Sequence, residues 1–454
     1  MALLMRLALA AFVGLVLIGL GGCSKTPTLA ATPYVMIGEP GRAAYAEVMP
    51  HLRTADIPVM YFTDREPELD AEGHVVGYTH KRSATSAFGT VVVSPTREMG
   101  WAELVEASTT ADRKRSIGLE VSSIVKSEEF GTLRERLRAV DGELVYPPES
   151  TAGFLQDVEE FNRCLEPWLE PGNDNGVLVY VHGVYSPFND AAIRLADSWH
   201  ASGRHGVPIV FSWPTGRHGF KAFNYAHDQE SGDFAVADLK LLLNLLALNE
   251  RVARVHLVAW SRGNEVVITA LRELHEQVMA SQGQTMAAQL ARGKTGGQLR
   301  ENPGRLRLTA EVMKLETVML VAADLDLDVF EERVFSERVS NATGRLVIYT
   351  SRSDMALSIA DLFFQSGARL GQADELHMDP VIRELIPQLP GLEMIECRVP
   401  SKDSHAYLFE HPGALSDMIS VIRDDRPIGA EHGRPLKEKA PGFWLLDTEY
   451  LAPE

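Results

Sequence analysis

The segment Ala259-Trp260-Ser261-Arg262-Gly263 carries the clearest chemical signal in the chain. It follows an apolar run and precedes apolar residues at helical spacing, which predicts a strand, a sharp turn and a helix. A serine on such a strained turn needs small residues two positions before and after it, because the strand and helix crowd those positions. The turn also places the hydroxyl at a helix N-terminus, where the macrodipole favours an oxyanion. We therefore predict that Ser261 is a nucleophile. The turn over residues 259–263 is called the elbow, and the helix that follows it the elbow helix.

A serine hydroxyl needs a base to take its proton, and the base needs a carboxylate to orient it. For a nucleophile on a strand-turn-helix, the acid and the base follow at the carboxyl ends of later strands, in the order Ser, Asp or Glu, His. The apolar run at 345–350 leads to Asp354, and the run at 393–399 leads to a polar loop that contains His405. The sequence therefore predicts Asp354 as the acid and His405 as the base.

Each of these two roles has an alternative. Asp324 also follows an apolar run at the predicted sheet edge and could be the acid, although it could instead cap the helix that opens near Val329. His411 follows His405 closely and could be the base, but it directly precedes Pro412, where the backbone is restricted. The chain order favours Asp354 and His405.

Six apolar runs are separated mostly by helix-length segments, which predicts crossover connections and a mostly parallel sheet with helices on both faces. Two earlier runs predict a β-rich N-terminal extension over residues 57–150. A Gln-, Arg- and Gly-rich segment at 275–308 predicts an insertion after the elbow helix that could act as a lid. The six runs span 177–181, 208–212, 255–259, 317–322, 345–350 and 393–399.

These residues resemble the α/β-hydrolase superfamily, and within it a bacterial group of uncharacterised hydrolase-like proteins. The resemblance covers about residues 59–408 and implies an α/β-hydrolase fold and a serine hydrolase without a settled substrate. The group usually has histidine before its nucleophile and methionine after it, whereas this chain has Trp260 and Arg262. Besides the elbow, the resemblance rests on Tyr61-Phe62-Thr63-Asp64-Arg65, His182-Gly183, Phe211-Ser212-Trp213-Pro214, Ala323-Asp324, Ser353-Asp354-Met355-Ala356-Leu357 and Ala368-Arg369-Leu370-Gly371.

The resemblance also implies an oxyanion hole made of two backbone N–H groups, which here belong to Val184 and Arg262. His182, on the same loop, is interpreted as a structural histidine that bonds the backbone rather than as a base. The Arg262 side chain has two interpretations, a solvated cation pointing off the helix or a group that binds an acidic substrate. Trp213 and Trp260 either line an acyl pocket or pack in the core.

Composition excludes several function classes. The 454-residue chain has 44 Lys and Arg against 62 Asp and Glu, a formal net charge of −18, which disfavours binding to nucleic acid. The cysteines, Cys23, Cys164 and Cys397, are too few and too far apart for a cysteine metal site. We expect no nucleic-acid partner, no metal and no cofactor. The oligomeric state, and whether Cys164 and Cys397 pair, stay open.

The N-terminus predicts an export signal. Arg6 precedes an unbroken apolar run, which is typical of a signal peptide over residues 1–22. The run ends in Leu20-Gly21-Gly22-Cys23, which resembles a bacterial lipobox and implies lipidation at Cys23. Ser24 resembles the outer-membrane sorting choice, so we expect an outer-membrane lipoprotein facing the periplasm, held to the membrane by its lipidated N-terminus. An ordinary cleaved signal or a membrane anchor is the alternative. Residues 23–56 would be the lipidated tether and N-terminal segment, and residues 57–454 the α/β-hydrolase domain.

The motifs together predict a serine hydrolase that cleaves a small-molecule or lipid-like carboxylic ester through an acyl-enzyme. Amide or thioester cleavage and acyl transfer to another acceptor stay open. Two other hypotheses are a non-catalytic envelope protein that uses the same scaffold for binding, and a lipase activated at lipid interfaces with residues 275–308 as its lid.

Overall fold

A computed structural model describes residues 26–130, 138–145, 148–169, 175–216, 221–291, 308–364 and 367–452. The predicted signal peptide and Cys23 lie outside these residues, as do residues 292–307 of the predicted insertion. Within the described ranges, no helix has the length and apolar content needed to cross a membrane. Cys164 and Cys397 are both free thiols.

The core of the protein is an eleven-stranded mixed sheet with the order β12-β13-β11-β10-β9-β8-β6-β7-β1-β2-β3. Neighbouring strands from β13 to β1 are parallel, whereas β12, β2 and β3 pair antiparallel at the two edges. The strands of this sheet are β1 (Ile57–Leu69), β2 (Val75–Pro95), β3 (Leu119–Phe130), β6 (Gly176–Val181), β7 (Val207–Ser212), β8 (Arg254–Trp260), β9 (Leu315–Val321), β10 (Arg345–Thr350), β11 (Leu392–Arg398), β12 (Lys437–Ala440) and β13 (Phe443–Asp447), and a separate hairpin pairs β4 (Arg138–Val140) with β5 (Glu143–Val145).

Helices connect the parallel strands and cover the sheet, so that the strands between them are buried. Every residue of β6, β7 and β10 is buried, which explains why these strands are continuous apolar runs rather than alternating ones. The helices are α1 (Glu39–Ala46), α2 (Trp101–Thr109), α3 (Pro148–Leu165), α4 (Phe188–Ala201), α5 (Lys221–Leu248), α6 (Gly263–Ala291), α7 (Leu308–Met313), α8 (Leu327–Glu331), α9 (Met355–Phe364), α10 (Pro380–Leu385), α11 (Tyr407–Glu410) and α12 (Pro412–Ile422).

The prediction of a mostly parallel sheet built from six apolar runs is confirmed, because β6 to β11 occupy those runs. The N-terminal β-rich segment joins the same sheet: β1 lies parallel to β7, and β2 and β3 extend the sheet beyond β1. The segment predicted as an insertion continues α6 as far as Ala291. The fold thus brings the carboxyl ends of β6, β8, β9, β10 and β11 to one edge of the sheet.

Candidate active site

The turn after β8 has the strained backbone that the elbow motif predicts. Ser261 is buried and has a φ of 55°, in the left-handed region that non-glycine residues seldom adopt. A Cβ atom at Gly183 would lie 2.5 Å from the Ser261 Cβ, and one at Gly263 would lie 2.5 Å from the His182 carbonyl oxygen. Glycine at both positions therefore allows the elbow and the loop after β6 to approach each other. This loop, residues 182–186, contains the predicted oxyanion donor Val184 and is called the oxyanion loop.

Hydrogen bonds from three directions hold the Ser261 backbone in this conformation. Its N–H donates to the Val321 carbonyl at 3.0 Å, and its carbonyl accepts from the Asp324 N–H at 3.2 Å. The Asn264 side-chain amide donates to the same Ser261 carbonyl at 2.7 Å and to the Val321 carbonyl at 3.1 Å. The neighbouring strand end and the first turn of α6 thus stabilise the left-handed residue.

The structure brings Asp354 and His405 together, although they lie far apart in the sequence. The His405 Nδ1 is 2.6 Å from the Asp354 Oδ2. The other carboxylate oxygen, Oδ1, accepts from the backbone N–H groups of Ala356 and Leu357 at 3.0 and 3.1 Å. Because a carboxylate only accepts, its contact fixes the proton on His405 Nδ1 and leaves Nε2 as an acceptor.

Trp260, the residue before Ser261, connects the elbow to the His405 loop. Its indole N–H donates to the His405 carbonyl at 2.9 Å. The indole and imidazole rings also pack at a tilt, with centroids 5.1 Å apart. On the same indole lies the Arg194 guanidinium, whose carbon is 4.6 Å from the ring centroid. The interpretation of Trp260 as simple core packing is therefore incomplete.

The predicted proton transfer requires a contact between the Ser261 hydroxyl and the His405 imidazole. Both residues belong to the described part of the chain, and no hydrogen bond joins the Ser261 hydroxyl to His405 there. In enzymes without substrate, hydrogen bonds between nucleophile and base are often long and tighten only in the substrate complex. The contacts that are already formed without substrate are the one between His405 and Asp354 and the hydrogen bond from Trp260 to the His405 carbonyl.

The loop after β6 lies against the elbow and is held by side chains from its surroundings. Tyr185, in the left-handed region with a φ of 56°, donates its N–H to the Asp228 carboxylate at 3.1 Å. The Ser186 N–H donates to the Thr215 hydroxyl at 3.1 Å. Among the described residues, the N–H groups of Val184 and Arg262, which the sequence predicts as oxyanion donors, have no such acceptor.

The fully buried side chain of Arg65 holds this loop through hydrogen bonds. The Arg65 guanidinium donates to the carbonyl groups of Ser186 at 2.8 Å and Thr215 at 2.5 Å and lies 3.2 Å from the His182 Nε2. Burial lowers the pKa of Arg65 to about 9. Burial and the nearby Arg65 charge hold the pKa of His182 well below its usual range.

His182 is a structural residue in this arrangement. Its Nδ1 lies 2.8 Å from the Gly183 carbonyl, to which it can only donate, and its Nε2 accepts from the Trp213 N–H at 3.1 Å. The ring is stacked on Trp213, with centroids 5.3 Å apart. A neutral imidazole with both nitrogens engaged cannot serve as the base, which agrees with the sequence interpretation.

The structure places the alternative acid, Asp324, away from His405 and in a different cluster. Its Oδ2 accepts from the Tyr225 hydroxyl at 2.5 Å, and its Oδ1 lies 3.6 Å from the Arg369 Nε. The Arg262 Nη1 donates to the Asp324 carbonyl at 3.2 Å, with the guanidinium carbon 6.0 Å from the Tyr225 ring centroid. The interpretation of Arg262 as a solvated side chain pointing off the helix is therefore wrong, since it is partly buried against these groups.

The alternative base, His411, has a structural role. It is buried and precedes α12, where its Nδ1 accepts from the Gly413 N–H at 3.2 Å. Burial lowers the pKa of His411. The contacts of His411 are with Gly413 and with the Tyr34 ring, so capping of α12 accounts for its position.

Sequence reasoning missed Arg65 and Asp228 as parts of the site. Asp228 lies inside α5, which begins at Lys221. Both residues act on the oxyanion loop across long sequence separations. One signal could have indicated Arg65: it is a charged residue at the end of a run of buried residues in β1.

Neither a metal nor a cofactor site stands out beside these residues. Across the part of the chain that the structure describes, no group of three or more His, Cys, Asp or Glu side chains could hold a metal ion. The chemistry that the arrangement itself can perform is proton transfer by an imidazole that a carboxylate orients.

Comparison with known proteins agrees with this architecture. A family model described as an alpha/beta hydrolase of unknown function (DUF900) matches residues 158–397. The match includes Ser261, Asp324 and Asp354 and ends before His405. It is narrower than the resemblance over about residues 59–408 that the sequence suggested. No curated protein matches the chain.

Proposed function

Because the chain belongs to this alpha/beta hydrolase family of unknown function, and because His405 contacts Asp354 beside the elbow, we propose that it is a serine hydrolase that cleaves carboxylic esters. Ser261 is the nucleophile, His405 the base and Asp354 the residue that orients it. The observation that carries this proposal is the 2.6 Å contact between the His405 Nδ1 and the Asp354 Oδ2.

The first half of the reaction is acyl transfer to the enzyme. The Ser261 Oγ attacks the carbonyl carbon of the ester while His405 Nε2 takes the hydroxyl proton. The carbonyl oxygen becomes an oxyanion, which the N–H groups of Val184 and Arg262 stabilise; a single lost donor of this kind costs about 2.7 to 4 kcal/mol. The imidazolium then gives its proton to the alkoxide oxygen as the carbon–oxygen bond breaks, and the alcohol leaves.

The second half is hydrolysis of the acyl-enzyme. His405 Nε2 takes a proton from water, the resulting hydroxide oxygen attacks the acyl carbon, and the proton returns to the Ser261 Oγ as the carboxylic acid leaves. Throughout the cycle Asp354 stays ionised and stabilises the imidazolium. The two backbone N–H groups donate to the oxyanion that develops in both halves.

Hydrolysis of a series of aryl and alkyl esters with increasing acyl length tests this proposal. The purified protein is expected to turn over some members, with the Ser261→Ala variant as the blank, and to release equimolar acid and alcohol. Matched thioesters and anilides in the same assay rank the leaving groups. Hydrolysis by Ser261→Ala at the wild-type rate would contradict the proposal, as would no turnover of any member.

Trp260→Phe is expected to lower kcat/KM for a neutral ester by up to about tenfold and to lower the free energy of unfolding by no more than about 1.5 kcal/mol. Phenylalanine keeps a ring against His405 but lacks the N–H that donates to its carbonyl, and one such hydrogen bond contributes about 0.5 to 1.5 kcal/mol. The measurement is steady-state kinetics, with urea denaturation of the same samples as control. Unchanged kcat/KM would show that this bond does not position the base.

A further inference from the structure

The side chain of Arg262 is a cation beside the nucleophile whose charge the protein does not neutralise directly. Its guanidinium donates to a backbone carbonyl, that of Asp324, at 3.2 Å, and packs near the Tyr225 ring. Among the described residues it forms no ion pair with a carboxylate. An arginine has five N–H donors in a planar fork, so most of its hydrogen-bonding capacity is left for another group.

Two of the acids near Arg262 have other partners, and a third, Asp233, is exposed to solvent. The Asp324 carboxylate accepts from the Tyr225 hydroxyl at 2.5 Å and pairs with Arg369 at 3.6 Å. Glu265, in the first turn of α6, pairs with Arg333 at 2.6 Å. Burial lowers the pKa of Arg262, but the charges of the nearby Tyr225, Asp324, Glu265 and Asp233 outweigh it, so that the pKa is raised. None of these acids, all of them in the described part of the chain, forms an ion pair with the guanidinium, so its donors are not taken up by them.

The unused donors of the Arg262 guanidinium can bind a carboxylate through charge-assisted, bidentate hydrogen bonds. We propose that Arg262 binds a carboxylate carried by the substrate, so that the natural esters are half-esters of dicarboxylic acids or esters of comparable acidic acyl groups. This inference rests on the proposed serine hydrolase function. It assigns to the Arg262 side chain a specificity role separate from that of its backbone N–H.

The position of Arg262 decides which part of the ester carries the charge. The leaving alcohol oxygen must lie within hydrogen-bond reach of His405, which protonates it. His405 contacts Asp354 and Trp260, whereas the Arg262 guanidinium contacts Asp324 and Tyr225. Since the two sets of neighbours share no residue, the carboxylate belongs to the acyl portion of the substrate.

The test compares each acidic ester with its neutral twin. The 4-nitrophenyl monoesters of glutaric, adipic and pimelic acid are assayed beside the same esters with the free carboxylate methylated, after subtraction of spontaneous hydrolysis. The wild-type protein is expected to prefer at least one free acid about 10- to 100-fold in kcat/KM, the range of a charge-assisted hydrogen bond. The preference is expected to fall as salt concentration rises.

Two variants at position 262 separate binding from folding. Arg262→Met is expected to bring the ratio of acid to methyl ester close to one, and Arg262→Lys to retain part of the preference, since lysine keeps the charge without the fork. Each ratio is taken within one variant, so a general loss of activity from disturbance of the elbow cancels. Arg352→Met removes the same charge from an exposed arginine that pairs with Asp374 at 3.2 Å, and is expected to keep the wild-type ratio.

Several results would overturn the inference. If the wild-type protein cleaves the methylated esters as well as the free acids at every chain length, or if Arg262→Met keeps the preference, the substrate carboxylate is not bound by Arg262. Both results leave the proposed serine hydrolase function intact. Failure of the wild-type protein to cleave any ester of either kind would overturn the inference and count against the proposed function as well.

Discussion

Replacing His405 with alanine is expected to lower kcat for ester hydrolysis on the order of 10⁴- to 10⁶-fold. The serine hydroxyl is a weak nucleophile at its free pKa, and His405 is the histidine that Asp354 orients and that Trp260 connects to the elbow. Alanine removes both the acceptor for the Ser261 proton and the donor to the alcohol. The measurement is kcat on the best ester of the substrate series, with enzyme concentration high enough to detect the residual rate.

His411→Ala provides the matched control, since it deletes the other histidine considered as the base. We expect it to keep far more activity than His405→Ala and to lower the free energy of unfolding by about 0.5 to 2 kcal/mol, because it removes the side chain that caps α12. If the two variants instead exchange these outcomes, His411 is the base and the assignment of His405 is wrong.

The second large effect is expected for Asp354→Asn, which should lower kcat on the order of 10⁴-fold. An asparagine can still accept from the Ala356 and Leu357 N–H groups at the start of α9, so the helix cap is kept. It cannot stabilise an imidazolium, and its amide favours the wrong histidine tautomer. Steady-state kinetics measure the loss, and near-UV circular dichroism confirms that the tertiary packing is unchanged.

Asp324→Asn distinguishes the two acids. This substitution weakens the ion pair with Arg369 but leaves an oxygen to accept from the Tyr225 hydroxyl. We expect a smaller loss of kcat on neutral esters than for Asp354→Asn, together with a lower free energy of unfolding because the buried ion pair with Arg369 is weakened. A nearly unchanged rate in Asp354→Asn, with kcat abolished in Asp324→Asn, would contradict the choice of acid.

The sheet could be predicted largely from sequence because its central strands are buried on both faces. Six of them coincide with the predicted, mostly apolar runs, and the spacing of these runs by helix-length segments indicates parallel pairing. The edge strands gave a weaker signal: β13 alternates between buried and partly buried residues, and β12 is partly exposed. The parallel pairing of β1 with β7 depends on tertiary contacts between distant segments, which periodicity does not report.

The candidate site was predictable where chemistry coincides with the end of a strand. Ser261, Asp354 and His405 each follow a buried run, so their positions were fixed by the topology. Trp260 and Asp228 were not recognisable as supports of the site, because an indole beside a strand end and an acid within a helix have ordinary structural roles elsewhere. Their contacts with the His405 carbonyl and the Tyr185 N–H arise from packing between segments that are distant in sequence.

Covalent labelling by a fluorophosphonate probe tests most directly whether Ser261 is an activated nucleophile. Such a probe phosphonylates a serine hydroxyl only when a base removes its proton and donors stabilise the resulting charge. We expect one adduct per chain, located at Ser261 by peptide mass spectrometry, absent from Ser261→Ala and formed far more slowly in His405→Ala. No adduct on the folded wild-type protein, or labelling that is unchanged in His405→Ala, would contradict the proposed mechanism.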